Sequence, residues 1–235
     1  MGSLDSGAMT EPLIPATGWV VLHLFCRVGP GADAEAIAAA VKAAQGEDHQ
    51  VVSFTVLGHK ADLGFMALGP DMVRLRAFQT AVTAAGLGLA SSYLSLTEVS
   101  EYAKGMPEQR LRDRLYPQLP PEGKRAFCFY PMSKRRGEIH NWYAAAYPAR
   151  EQLMQAHGAT GRTFAGRVLQ VITGSTGLDD YEWGVSLFAV RPDDLKDVVY
   201  TMRFDEASSR YAEFGPFYTG VVGSVADVLA AAGLA

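Results

Sequence analysis

Strand, helix, strand, strand, helix, strand: this order of apolar patterns occurs twice in the 235 residues and limits the fold more than any other feature. In the first half the periodicity predicts strands over 19–28, 51–57, 61–68 and 91–99, with helices over 32–45 and 71–85. Helical spacing places Ile37, Ala40, Val41 and Ala44 on one face of the first helix, and Met72, Leu75, Phe78 and Val82 on one face of the second. The second half predicts strands over 126–133, 167–174, 182–190 and 211–222, with helices over about 148–157 and 192–203. Pro148 suits a helix first turn, and Gly158 suits a position just past a C-terminus. The expected fold is α+β, two ferredoxin-like βαββαβ domains of the dimeric α+β barrel type. The halves share little visible identity, so the duplication rests on element order.

The breakers in "GMPEQ" and the prolines of "RLRDRLYPQLPPEGKR" mark a boundary. They suggest a first domain over 9–110, a linker over 111–125 and a second domain over 126–235. The opening "MGSLDSGAMTEP" has neither a basic region nor an apolar core of a signal sequence, so residues 1–8 read as a vector-derived remnant before a start at Met9.

A formal net charge of -4 offers no global basic field, so nucleic acid is not an expected partner and any anion site must be local. No apolar run is long enough for a membrane-spanning helix, so no membrane partner is expected. Cys26 and Cys128 each sit inside an apolar run without metal-like spacing, which reads as two buried thiols and favours a reducing, cytoplasmic setting.

The local basic site is in "FYPMSKRRGEIHNWY", residues 129–143. An extended chain puts Tyr130, Met132 and Lys134 on one side of a strand, over roughly 13 Å. A phenol, a thioether and an ammonium make a poor core and a poor solvent face. On the strand "RVLQVITG", alternation groups Val168, Gln170 and Ile172. Gln170 is then a lone amide among apolar neighbours, which either has a structural hydrogen-bond partner or faces a ligand. His157 follows Leu153 by four residues and Met154 by three, on their apolar face near the expected helix end. It is either a satisfied core histidine or an axial metal ligand. No second ligand stands at zinc-like spacing, whereas haem needs only one imidazole from the protein. His23 falls in a strand, and His49, His59 and His140 fall in loops or turns.

These stretches, with "QLMQAHG", "GRVLQVITGSTGLDDYEWGVSLFA" and "YTMRFDEASSRYAEFG", closely resemble the coproheme decarboxylases of the chlorite dismutase-like superfamily, in the form found in Firmicutes. The resemblance runs from about Arg114 to Tyr218. It implies a homopentameric ring with the haem site in the C-terminal domain. Tyr130 falls on the family's radical-forming tyrosine, Lys134 on its propionate-binding lysine, His157 on the weakly bound proximal iron ligand and Gln170 on the distal glutamine. Arg114 and Ser208 match further propionate contacts, and Met132 lines the pocket. The "LPPEGKR" stretch is about two residues longer than the family pattern, which loosens the placement of Arg114.

The resemblance implies that iron-coproporphyrin III (coproheme) is both substrate and redox cofactor. Hydrogen peroxide would drive decarboxylation of propionates 2 and 4 to vinyl groups and give haem b. A transient contact with coproporphyrin ferrochelatase is also implied. An uncharged amide at position 170 disfavours chlorite turnover, for which that superfamily uses an arginine. A histidine at a helix C-terminus would favour imidazolium and so a weakly held iron. The alternatives are a chlorite dismutase or haem peroxidase, and a haem-binding or transfer protein without enzymatic activity.

Overall fold

The computed structural model describes residues 11–46 and 48–234, so residues 1–8 lie outside the described residues. Two compact units form: one through Thr97 that also takes the chain from Gly223 on, and one of Glu98–Val222.

The first unit contains β1 (Val20–Val28), α1 (Ala34–Ala44), β2 (Gln50–Val56), β3 (Leu63–Gly69), α2 (Met72–Ala84) and β4 (Leu87–Thr97). Its strands pair antiparallel in the order β4-β1-β3-β2. Alternate β1 residues Val20, Leu22, Leu24 and Cys26 meet Ile37 and Val41 of α1 and Leu75, Phe78 and Val82 of α2 in one apolar core. Both helices start at an aspartate whose carboxylate accepts a backbone N–H of the first turn, Asp33 from Ala36 and Asp71 from Val73.

The second unit contains α3 (Glu108–Leu115), β5 (Ala126–Lys134), α4 (Tyr147–Arg162), β6 (Val168–Gly174), β7 (Trp183–Ala189), α5 (Pro192–Arg203), α6 (Glu206–Ser209), β8 (Ala212–Phe214) and β9 (Tyr218–Gly223). β7 lies between β6 and β5, and the other edge of β5 pairs with β9 and then β8, all antiparallel. The order β9-β5-β7-β6 repeats that of the first unit, so the duplication expected from element order is present in the strand pairing. The chain ends with α7 (Val225–Ala231), whose Val228 and Leu229 join the core of the first unit.

The structure corrects five boundaries. Residues 98–110, expected in the first domain, belong with the second unit, and the terminal helix belongs with the first. The expected linker holds the end of α3, a solvated helix without a buried residue. α4 does not stop at His157 but continues to Arg162, with Gly158 inside it. An internal glycine costs a helix only about 1 kcal/mol, which the flanking turns of α4 absorb. The strand expected over 211–222 is broken between Phe214 and Tyr218, where Pro216 supplies no N–H for a ladder.

Gly64 in β3 is a site of close approach on the face of the first sheet opposite that core, where it pairs with Phe25 and Phe54. A Cβ there would lie 2.4 Å from Phe54 Cε2 and 2.9 Å from the Leu24 carbonyl oxygen. Gly64→Ala should therefore lower the unfolding free energy by about 1–3 kcal/mol, measured by urea denaturation, through overpacking against backbone that cannot yield.

Candidate functional site

Register decides which side chains of the second sheet share a face, because residues opposed in a ladder point the same way. Tyr130 opposes Val185, which opposes Ile172; Cys128 opposes Leu187, which opposes Gln170. Tyr130, Met132, Lys134 and Gln170 thus project from one face. Leu195 and Val198 of α5, with Phe164, pack on part of that face. Over β6 the cover is incomplete: Ile172 is 46% exposed, and Gln170 and Met132 are half-buried.

At the end of β5 the chain is held tightly. The Lys134 N–H donates to Glu182 Oε2 at 2.7 Å, and the buried Lys134 Nζ donates to the Ala207 carbonyl at 3.0 Å. The ammonium also lies 4.4 Å from the centroid of the Trp142 ring. Burial pulls the Lys134 pKa down to about 8, against the carboxylates of Asp205 and Glu182, which pull it up.

Asp205 joins this end of β5 to α4. Its Oδ1 accepts the Ala207 N–H at 3.1 Å, capping α6, and lies 2.9 Å from His157 Nδ1. Burial lowers the His157 pKa; the bond to Asp205 raises it less, and the Lys134 charge lowers it further. The imidazole is therefore neutral at pH 7, with Nδ1–H donated to Asp205 and the Nε2 lone pair left available to a metal. This reverses the expectation of a favoured imidazolium. His157 lies five residues before the end of α4, beyond reach of a macrodipole confined to the last turn, and burial governs its charge instead.

Tyr130 stands in an aromatic setting. Its ring stacks on Phe217 at 4.5 Å between centroids and tilts against Phe214 at 5.6 Å. The Arg203 guanidinium lies 3.9 Å from the Phe214 centroid. Burial raises the Tyr130 pKa, the Cys128 thiol adds to this and the Arg203 charge opposes it, so the resting group is the phenol.

The structure thus brings Lys134 and His157 together around Asp205, with buried Ser208 on the same capped turn. Tyr130, Met132 and Gln170 share the sheet face beside them. Arg114 lies exposed on α3, and its guanidinium has no hydrogen bond or ion pair with the described residues. Sequence reasoning missed Asp205, Arg203, Trp142 and the two phenylalanines. Only Asp205 had a local signal, an aspartate just before a short helical run.

His157 also sets a pH dependence. Its folded pKa lies below the ordinary 6.5, so its contribution to stability is complete above pH 6.5 and is lost as pH falls through the folded value. Urea midpoints measured between pH 7.5 and about 5 should fall more steeply for the parent than for His157→Gln; equal slopes would contradict a depressed pKa.

The chlorite dismutase family matches residues 31–223. A coproheme decarboxylase of Staphylococcus carnosus is 40% identical over 241 residues, covering 91% of this chain and 95% of that protein. One from Thermus thermophilus is 45% identical over 173 residues, covering 71% of this chain and 69% of its own. A haem-binding protein of Natronomonas pharaonis is 40% identical over 235 residues; the match takes in 86% of this chain but only 39% of that longer protein. Among solved structures, a haem-binding protein from Thermus thermophilus superposes with a TM-score of 0.82 at 36% identity, covering 95% of this chain and all of that one. A mutant chlorite dismutase from Candidatus Nitrospira defluvii gives 0.74 at 19% identity over 93% and 97% of the two chains, which bears on fold alone. With four-fifths of its length matched by the family and a relative aligned almost end to end, this chain is a member of the chlorite dismutase family.

Proposed function

We propose that the chain is an oxidoreductase that uses hydrogen peroxide to decarboxylate the propionates at positions 2 and 4 of coproheme, giving haem b. The observation that carries this reading is a set of polar groups with no partner among the described residues: the Tyr130 hydroxyl, the Gln170 amide, the Ser208 hydroxyl and His157 Nε2. Gln170 is half-buried on the incompletely covered part of the sheet face, where its amide is open to a ligand. The coproheme decarboxylases among the relatives support the same substrate.

An iron porphyrin with four carboxylates fits this donor set. His157 would ligate the iron through Nε2, Gln170 would hydrogen-bond the iron's other ligand, and Met132 would pack on the ring. Lys134, Arg203, Ser208 and Arg114 would take the carboxylates, the arginines through forked charge-assisted bonds. Bound iron supplies the two-electron reduction of peroxide.

For each side chain, a propionate, a peroxide and a proton become a vinyl group, a carbon dioxide and two waters. Tyr130 handles one electron of the two. Its phenol gives up an electron and a proton together, takes a hydrogen atom from the propionate β-carbon and is restored. The second electron leaves the substrate as the bond to the carboxylate breaks. Burial keeps Tyr130 protonated beforehand, so the proton must move with the electron.

The neutral amide of Gln170 lacks the fixed charge that would assist chlorite, which sets the chlorite dismutase reading second. A haem carrier would bind coproheme and leave it unchanged. The homopentamer, the hand-over from coproporphyrin ferrochelatase and the cytoplasmic setting rest on the resemblance, with two buried thiols in keeping with the last. Among the described residues no helix is long and apolar enough to cross a membrane.

Two outcomes follow. Because free Lys134 titrates near 8, coproheme affinity should fall as pH rises through 8, with proton uptake on binding; Lys134→Gln should bind more weakly at pH 7 and lose that slope. A parent titration without a slope would remove Lys134 from the substrate's contacts. Tyr130→Phe should fold and bind coproheme, yet mass spectrometry after peroxide should show only the four-propionate porphyrin and its bleaching products. Haem b formed at the parent's rate would make Tyr130 a packing residue.

A further inference from the structure

The break between β8 and β9 sets two aromatic rings against Tyr130. The turn "FGPF" brings Phe214 and Phe217 onto the Tyr130 ring. Phe214 is placed by the ladder, opposite Met132. Gly215 then donates its N–H to the Pro131 carbonyl at 2.9 Å. A Cβ on Gly215 would lie 2.7 Å from Pro131 Cγ and 2.7 Å from the Tyr181 ring, so only glycine lets the turn close this far. Pro216 ends the pairing, and Phe217 stacks on Tyr130 with an interplanar angle of 25°. Arg203 lies against Phe214.

We infer that Phe214 and Phe217 are positioning residues for Tyr130, a clamp that holds its ring in one orientation and so fixes the point from which the phenol oxygen meets the substrate. Phe217 also lines a cavity of about 380 Å³ with Cys128, Leu195, Val199, Arg203 and Thr219, so a smaller side chain would open space beside the Tyr130 ring. Tyr130 makes no hydrogen bond to the described residues that could hold its oxygen instead. Hydrogen-atom transfer depends steeply on the approach of the reacting atoms, and a misplacement near 1 Å can cost about 100-fold.

The inference rests on Tyr130 acting as proposed, and its test separates the two. In protein labelled with 3-fluorotyrosine, the Tyr130 fluorine signal is assigned by its loss in Tyr130→Phe. A clamped ring flips slowly and gives two lines, one for each edge on which the fluorine can sit. In Phe217→Leu the two should merge, and in Phe217→Trp they should separate again, with circular dichroism and melting temperature reporting the fold. A single averaged line in the parent overturns the clamp, even if Phe217→Leu fails to fold. Two unchanged lines in a folded Phe217→Leu also overturn it. With ferric coproheme and peroxide, Phe217→Leu should bind as the parent does and turn over roughly ten to a hundred times more slowly. A loosened ring with undiminished turnover removes the positioning role. A clamped ring in a parent that makes no haem b sinks the proposed reaction while leaving the clamp intact.

Discussion

The second unit depends on the register of β5. Both edges of this strand are paired, by β7 on one side and by β9 and β8 on the other, and both ladders agree on which residues face the helices. Side chains alternate with a period of two, so a slip of one residue would turn Tyr130, Met132 and Lys134 away together. The register is pinned where it matters most. Glu182 accepts the Lys134 N–H, and Arg135 N–H donates to the Tyr211 carbonyl at 2.6 Å.

With the strand fixed, the site becomes a matter of buried charge. An ammonium and an aspartate share a volume where each alone would be costly, and the neutral imidazole keeps a third charge out. One Asp205 oxygen accepts both the α6 N–H and the His157 N–H, so the imidazole is oriented by the same turn that receives the Lys134 ammonium through Ala207. Folding thereby sets the tautomer that leaves Nε2 free. The hydroxyls and amide nearby make no hydrogen bond to the described residues and are not sealed from solvent, so a polar, carboxylate-bearing ligand could take them in place of water.

Much of this was legible because it is periodic. The buried residues of α1 are the four that helical spacing selected, and strand alternation alone grouped Tyr130 with Lys134. The parts that escaped are those fixed by distant partners. Asp205 gains its meaning from His157, 48 residues earlier, and Trp142 from Lys134 across a tight hairpin. The extension of α4 past two glycines depended on context that outweighs propensity, and it displaced the argument about His157's charge. The strand expected over 211–222 ran through Pro216, whose missing N–H was the local signal for a break, and the consequence for the Tyr130 ring had no signal, because no local pattern says which neighbour a broken strand will reach.

The most direct measurement is the product made by the parent protein itself: ferric coproheme is bound, peroxide is added stepwise, and the porphyrins are resolved by liquid chromatography and mass spectrometry with carbon dioxide counted. The account predicts a three-propionate species followed by haem b, with one peroxide consumed for each carbon dioxide. Bound coproheme that is merely bleached, or that survives peroxide with all four propionates, would contradict it.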